Sequence, residues 1–134
     1  MKILIVDDSK IVRMKIEASL AKHADAEKFK IFTAEDGQKA FDIIKTNYIN
    51  IMFLDWNMPV MTGEELVNLL RQSKSFDHIR IIMATTEGKK SSVEKMIRRR
   101  VNGYIVKPFD DKTILKAFDA IYTKFSKDES SEDS

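Results

Sequence analysis

The sequence predicts an α/β protein: a single doubly wound (βα)5 domain with a parallel sheet and helices on both faces. Three observations predict it. Five short apolar runs alternate with five segments of helical apolar spacing, and strict alternation of this kind argues for parallel strands joined by helical crossovers. The run Ile51-Met52-Phe53-Leu54 is apolar without a break, as a strand buried on both faces is. Asp7-Asp8, Asp55, Thr85 and Lys107 each fall at the C-terminal end of a predicted strand, the edge where open α/β sheets bind ligands.

The elements follow in order. Lys2 to Val6 is the first strand, closed by Asp7, Asp8 and Ser9, which can cap the next helix. Val12, Ile16 and Leu20 recur every four residues and predict a helix from about Ser9 to His23. Lys28 to Thr33 is a second strand with alternating Phe29, Ile31 and Thr33. Glu35-Asp36-Gly37 is a turn into a helix carrying Ala40, Phe41, Ile43 and Ile44. The strand Ile51 to Leu54 delivers Asp55, and Met58-Pro59 stops it. Thr62-Gly63-Glu64-Glu65 has the form of a capping box and starts a helix with Leu66, Leu69 and Leu70 on one face. Ile79 to Ala84 is the fourth strand. Val93, Met96 and Ile97 mark a helix across residues 89–100. Tyr104-Ile105-Val106 is the fifth strand, ended by Lys107-Pro108-Phe109. Ile114, Leu115, Phe118, Ile121, Tyr122 and Phe125 line a last helix.

A chain of 134 residues is one domain by length and can bury a proper core. Hydrophobic and charged fractions of 43% and 33% suit a globular protein. No apolar stretch approaches membrane-spanning length, and Met1 to Asp7 is too short and too soon acidic for a secretion signal. Cysteine is absent, which excludes disulfides, thiolate metal sites and a Cys nucleophile, and fits a reducing cytoplasm. His23 and His78 build no site, and the Met residues fit core filling. Net charge is +2, yet residues 127–134 hold four acids and one base, so the remainder carries +5. Residues 1–126 are read as the domain. Residues 127–134, rich in Ser, Asp and Glu, are read as an acidic disordered tail.

Three carboxylates at one sheet edge repel each other, and need a cation or a shared proton. Oxygen ligands without His or Cys suit Mg²⁺, which keeps several waters and takes one or two carboxylates. Singly, each residue has a plain explanation. Asp7-Asp8 can be a turn and cap, Asp55 a loop acid, Lys107 a solvated amine and Thr85 a strand-end hydroxyl bonding its own backbone. Four such groups at four strand ends make a convergent, phosphate-handling, cation-binding site the better reading.

The pieces Val6-Asp7-Asp8-Ser9, Asp55-Trp56-Asn57-Met58-Pro59, Met83-Ala84-Thr85-Thr86-Glu87 and Asn102-Gly103-Tyr104-Ile105-Val106-Lys107-Pro108-Phe109 stand in the order and spacing of a known family. Together they resemble the receiver domains of two-component response regulators, most of all the stand-alone chemotaxis regulators. The resemblance covers residues 1 to about 126. It implies a flavodoxin-like sheet of order 2-1-3-4-5. It implies that Asp55 accepts a phosphoryl group from a histidine kinase as an aspartyl phosphate. Mg²⁺ would be held by Asp8, Asp55 and the Asn57 main-chain carbonyl, with Asp7 acting through water. Lys107 would pair with one phosphoryl oxygen and Thr85 with another, while Tyr104 repacks inward as Thr85 moves. Lys107-Pro108 would be cis. The output would be a protein partner such as a flagellar motor switch protein, read by a cytoplasmic monomer. A relay intermediate or phosphate-sink role stays open. An aspartate-based phosphohydrolase usually carries an acid two residues after its nucleophile, where this chain has Asn57.

The helix before Asn102 departs from the family by ending in Arg98-Arg99-Arg100, where small residues and a Gly are usual; basic residues suit a helix C-terminus. Lys89, Lys90, Lys95, Arg98, Arg99 and Arg100 read either as a solvated helix face or, with Tyr104, as a docking face for an acidic partner. Nucleic acid is not expected: no groove-reading element and no effector domain after Phe125 is foreseen, and the tail is acidic.

Overall fold

The apolar runs form one parallel sheet. In the computed structural model, which describes residues 1–86 and 90–132 and side chains as far as Phe125, the strands are β1 (Lys2–Val6), β2 (Lys30–Ala34), β3 (Ile51–Leu54), β4 (Arg80–Thr85) and β5 (Gly103–Val106). The helices are α1 (Lys10–Ala21), α2 (Gly37–Thr46), α3 (Gly63–Arg71), α4 (Lys90–Arg98) and α5 (Asp111–Glu132). The strand order is β2-β1-β3-β4-β5, parallel throughout. This is the expected order, with its switch point between β1 and β3.

Alternation along each strand divides the core in two. Leu4, Val6, Met52, Leu54, Ile81 and Met83 face α2, α3 and α4, meeting Ala40, Ile44, Leu66, Val67, Leu70 and Met96. Ile3, Ile5, Ile51, Phe53, Ile82, Ala84 and Ile105 face α1 and α5, meeting Ile16, Leu20, Ile114, Phe118 and Ile121. Truncating one of these fully buried aliphatic side chains to Ala costs about 2–5 kcal/mol.

Local signals start the helices. The Ser9 hydroxyl accepts the Val12 N–H at 3.3 Å, and the Asp36 carboxylate accepts that of Lys39 at 2.8 Å. Thr62 accepts the Glu65 N–H at 3.1 Å, while the Glu65 carboxylate meets the Thr62 hydroxyl at 3.3 Å. Asp110 caps α5 by accepting the Thr113 N–H at 2.8 Å.

Boundaries shift by a residue or two from the expectation. β2 starts at Lys30 because Ala26–Lys28 forms a 3-10 turn first. β4 takes in Thr85, whose carbonyl accepts the Lys107 N–H at 2.8 Å. α4 ends at Arg98, since Arg100 has a φ of 60° and the Arg100 and Val101 N–H groups bond back to Ile97 and Met96. That is a Schellman ending with Arg in the position Gly usually takes. The α5 backbone is helical from Asp111 through Glu132. Asp133 and Ser134 lie outside the described residues, as does Lys89.

Candidate functional site

The strand register brings the polar ends together. Val6 pairs with Leu54, and the Asp55 N–H donates to the Val6 carbonyl at 2.9 Å, so Asp7 and Asp55 leave the sheet side by side. Thr85 pairs with Val106, so Lys107 leaves β5 just past Thr85. Residues separated by up to a hundred positions therefore meet at one edge.

Asp7 is buried. Its Oδ1 accepts the Ser9 N–H at 2.9 Å, and its Oδ2 lies 2.8 Å from the Lys107 Nζ. Asp55 is 5% exposed. Its Oδ1 accepts the Asn57 N–H at 3.2 Å, and its Oδ2 lies 3.5 Å from the same ammonium. Asp8 is exposed. Asp7, Asp8 and Asp55 each offer a carboxylate oxygen within 4.8 Å of the others. One ammonium spans two of three carboxylates, which leaves negative charge in excess.

The electrostatics follow. Burial, and then the Asp7 charge, push the Asp55 carboxyl up to about 6 from its ordinary 3.8, against the pull of Lys107 and the Asn57 N–H. Burial alone would lower the Lys107 ammonium, but its hydrogen bond to Asp7 and the charges of Asp55 and Asp7 outweigh that and hold it raised. A bound cation would relieve the same repulsion that raises Asp55. All-oxygen donors around surplus charge fit a hard divalent ion.

The remaining expected residues are placed as follows. Thr85 is fully buried on the α4 side of the sheet. Tyr104 and Val106 project on that side from β5 and are 46% and 39% exposed. Tyr104 sits diagonally from Thr85, two pairs back along the ladder. Asn57 is exposed beside Asp55, and Trp56 is 7% exposed in the core. Lys107-Pro108 is cis. Lys90, Lys95 and Arg98 are exposed. Arg99 turns away from them to pair with Glu64 at 2.7 Å, and Arg100 lies 3.6 Å from Asp77.

Two contributors escape a reading of sequence. The Arg13 guanidinium donates to the Asp7 carbonyl at 2.6 Å and braces the acidic turn. Its position one turn into α1 carries no local signal. Gly63 brings the start of α3 against Asp55: an added Cβ would lie 2.1 Å from the Asp55 carbonyl oxygen. A Gly at the first helical position, inside a capping box, was its only sequence mark.

Comparison with known proteins agrees with this geometry. The family model described as response regulator receiver domain matches residues 3–119. The chain is 42% identical over 112 residues to a chemotaxis protein CheY homolog of Campylobacter jejuni, covering 81% of this chain and 82% of that protein. It is 36% identical over 122 residues to chemotaxis protein CheY1 of Helicobacter pylori, covering 90% and 96%. Among solved structures, the chemotaxis response regulator CheY4 of Vibrio cholerae matches with a TM-score of 0.80 at 31% identity, covering 90% of this chain and 97% of that one.

Proposed function

The chain belongs to the response regulator receiver domain family and is CheY-like, and from that premise we propose that Asp55 accepts a phosphoryl group from a histidine kinase and thereby switches affinity for a protein partner. The observation that carries the proposal is the cluster of Asp7, Asp8 and Asp55 oxygens within 4.8 Å, bridged by Lys107.

The Asp55 carboxylate attacks phosphorus of the donor phosphohistidine. The O–P bond forms as the P–N bond breaks, and the imidazole nitrogen leaves with the electron pair and takes a proton from solvent. The Lys107 ammonium shifts from its carboxylate partners toward a phosphoryl oxygen, and the Thr85 hydroxyl donates to another. Asp8, Asp55 and the Asn57 carbonyl would hold Mg²⁺, with Asp7 acting through water. Once bound, the ion supplies the positive charge that phosphoryl transfer needs beyond what Lys107 gives. Thr85, drawn toward the phosphoryl group, vacates space on the α4 side of the sheet. The Tyr104 ring, now nearly half exposed, fills it.

The surface of α4, β5 and α5 is the docking face, with Lys90, Lys95, Arg98 and Tyr104 facing solvent for an acidic segment of the partner. Arg99 is engaged with Glu64, so it contributes little to that face directly. The names of its relatives support a chemotactic output, and the partner proposed is a flagellar motor switch protein. The setting is cytoplasmic and the working form a monomer.

The test is Asp55→Asn, which keeps volume and removes the nucleophilic charge. A small-molecule phosphodonor with Mg²⁺ should give the parent a base-labile phosphoryl label and the variant none, with circular dichroism unchanged. Undiminished labelling of the variant overturns the assignment.

A further inference from the structure

Three observations join the loop behind Asp55 to α4 by a route separate from Thr85 and Tyr104. First, the start of α3 is locked to the backbone of Asp55 and Trp56. The Gly63 N–H donates to the Trp56 carbonyl at 3.0 Å, and the space beside its Cα is already filled by the Asp55 carbonyl. Any movement of that backbone carries the next residue, Glu64, with it.

Second, Glu64 is gripped from α4. The Arg99 guanidinium donates to the Glu64 Oε1 at 2.7 Å, with side chains 33% and 30% exposed. The contact is a single N–H to a single oxygen, so it can break without dismantling a fork.

Third, the last turn of α4 has an independent mooring. An Arg71 Nη bonds the Arg100 carbonyl at 3.0 Å, and the Arg100 guanidinium returns a bond to the Arg71 carbonyl at 3.3 Å. The same Arg71 holds the Phe76 and Ile79 carbonyls, and Val101 and Met96 pack at the helix end against the core. The C-terminal end of α4 is thus moored at two points, by the Arg71–Arg100 bonds and by the Arg99–Glu64 pair, and the second is the one that can break without disturbing the core.

We propose that the Glu64–Arg99 pair is a latch that holds α4 in its resting position and is released when the Asp55 loop or α4 moves, so that Glu64 and Arg99 are positioning residues setting how readily the domain switches. The inference rests on the switching role given above. It assigns part of the basic run to intramolecular control. An interaction made in one state and lost in the other biases the equilibrium toward the first by its own free energy.

The experiment uses the whole chain as parent, Arg99→Gln, Glu64→Gln and the conservative Arg99→Lys. Without any phosphoryl probe, hydrogen exchange at the amides of residues 94–98 should quicken in both Gln variants, with β1 and β3 unchanged, and return toward the parent in Arg99→Lys. With beryllofluoride and Mg²⁺ as the probe, the half-saturating concentration read by Trp56 fluorescence should fall about fivefold in the Gln variants, the size expected of one partly exposed ion pair. A responsive parent whose Gln variants saturate within twofold of it overturns the latch alone. A parent that shows no response overturns the functional reading, and the latch with it.

Discussion

Gly63→Ala is the sharpest test of how the fold positions its acidic edge. The new Cβ would lie 2.1 Å from the Asp55 carbonyl oxygen, 2.9 Å from the Trp56 Cα and 3.0 Å from the Asp55 carbonyl carbon. An ordinary carbon–oxygen contact is about 3.3–3.6 Å, so a gap of about 1.2 Å has to open. All three atoms are backbone, and no side chain can rotate to relieve them. Overpacking of this sort costs about 1–3 kcal/mol. Ala offsets part of that by its helix preference over Gly, about 0.5–1 kcal/mol. The expected net loss is about 1 kcal/mol in urea unfolding at neutral pH. The displacement falls on the carbonyl of Asp55 itself, so Mg²⁺ affinity, followed by Trp56 fluorescence, should fall as well. Two other glycines bracket the result. At Gly37 the nearest atoms are the Met61 Cβ and carbonyl oxygen at 2.8 Å and the Met61 Cγ at 2.9 Å, of which only the Cγ can turn aside by rotation. At Gly103 nothing lies within 4 Å and φ is not positive, so Ala should cost nothing there. If Gly63→Ala unfolds within about 0.5 kcal/mol of the parent, the range of an ordinary surface change, and binds Mg²⁺ as before, the close approach does not position the site.

Three further outcomes are expected. Because the folded Asp55 binds its proton more tightly than the unfolded chain does, metal-free stability should decline as pH rises from about 4 to about 6; Asp55→Asn should remove that decline and be the more stable protein above pH 6, and urea midpoints across this range that run parallel for both would refute it. Asp8→Ala should abolish the Trp56 fluorescence response to Mg²⁺, and a titration curve unaltered by the substitution would place the ion elsewhere. Deleting residues 127–134, which lack apolar groups to bury, should leave the melting temperature nearly unchanged, whereas a large drop would mean that the segment docks on the domain.

Sequence alone determined what is local. The βα alternation, the caps at Ser9 and Thr62, and the placement of Asp7, Asp55, Thr85 and Lys107 at strand ends rest on periodicities of two and 3.6 residues, and on groups within a few positions of one another. The strand order and the cis Lys107-Pro108 bond came from the motifs as a set, through their resemblance to a family. Tertiary structure alone decided how far each acid is desolvated and which charges meet. Asp55 is lifted to about 6 because burial and Asp7, forty-eight residues away in the chain, act on it together. The basic run read as one face because a sequence lists charges without directions. Side-chain bonds from the end of α4 to α3 split it, sending Arg99 to Glu64 across 35 residues of chain and Arg100 to the carbonyl of Arg71, and leaving Lys90, Lys95 and Arg98 in solvent. Direction around a helix and distance across a fold are fixed only when the helices dock, and the strength of a charge's interactions depends on both.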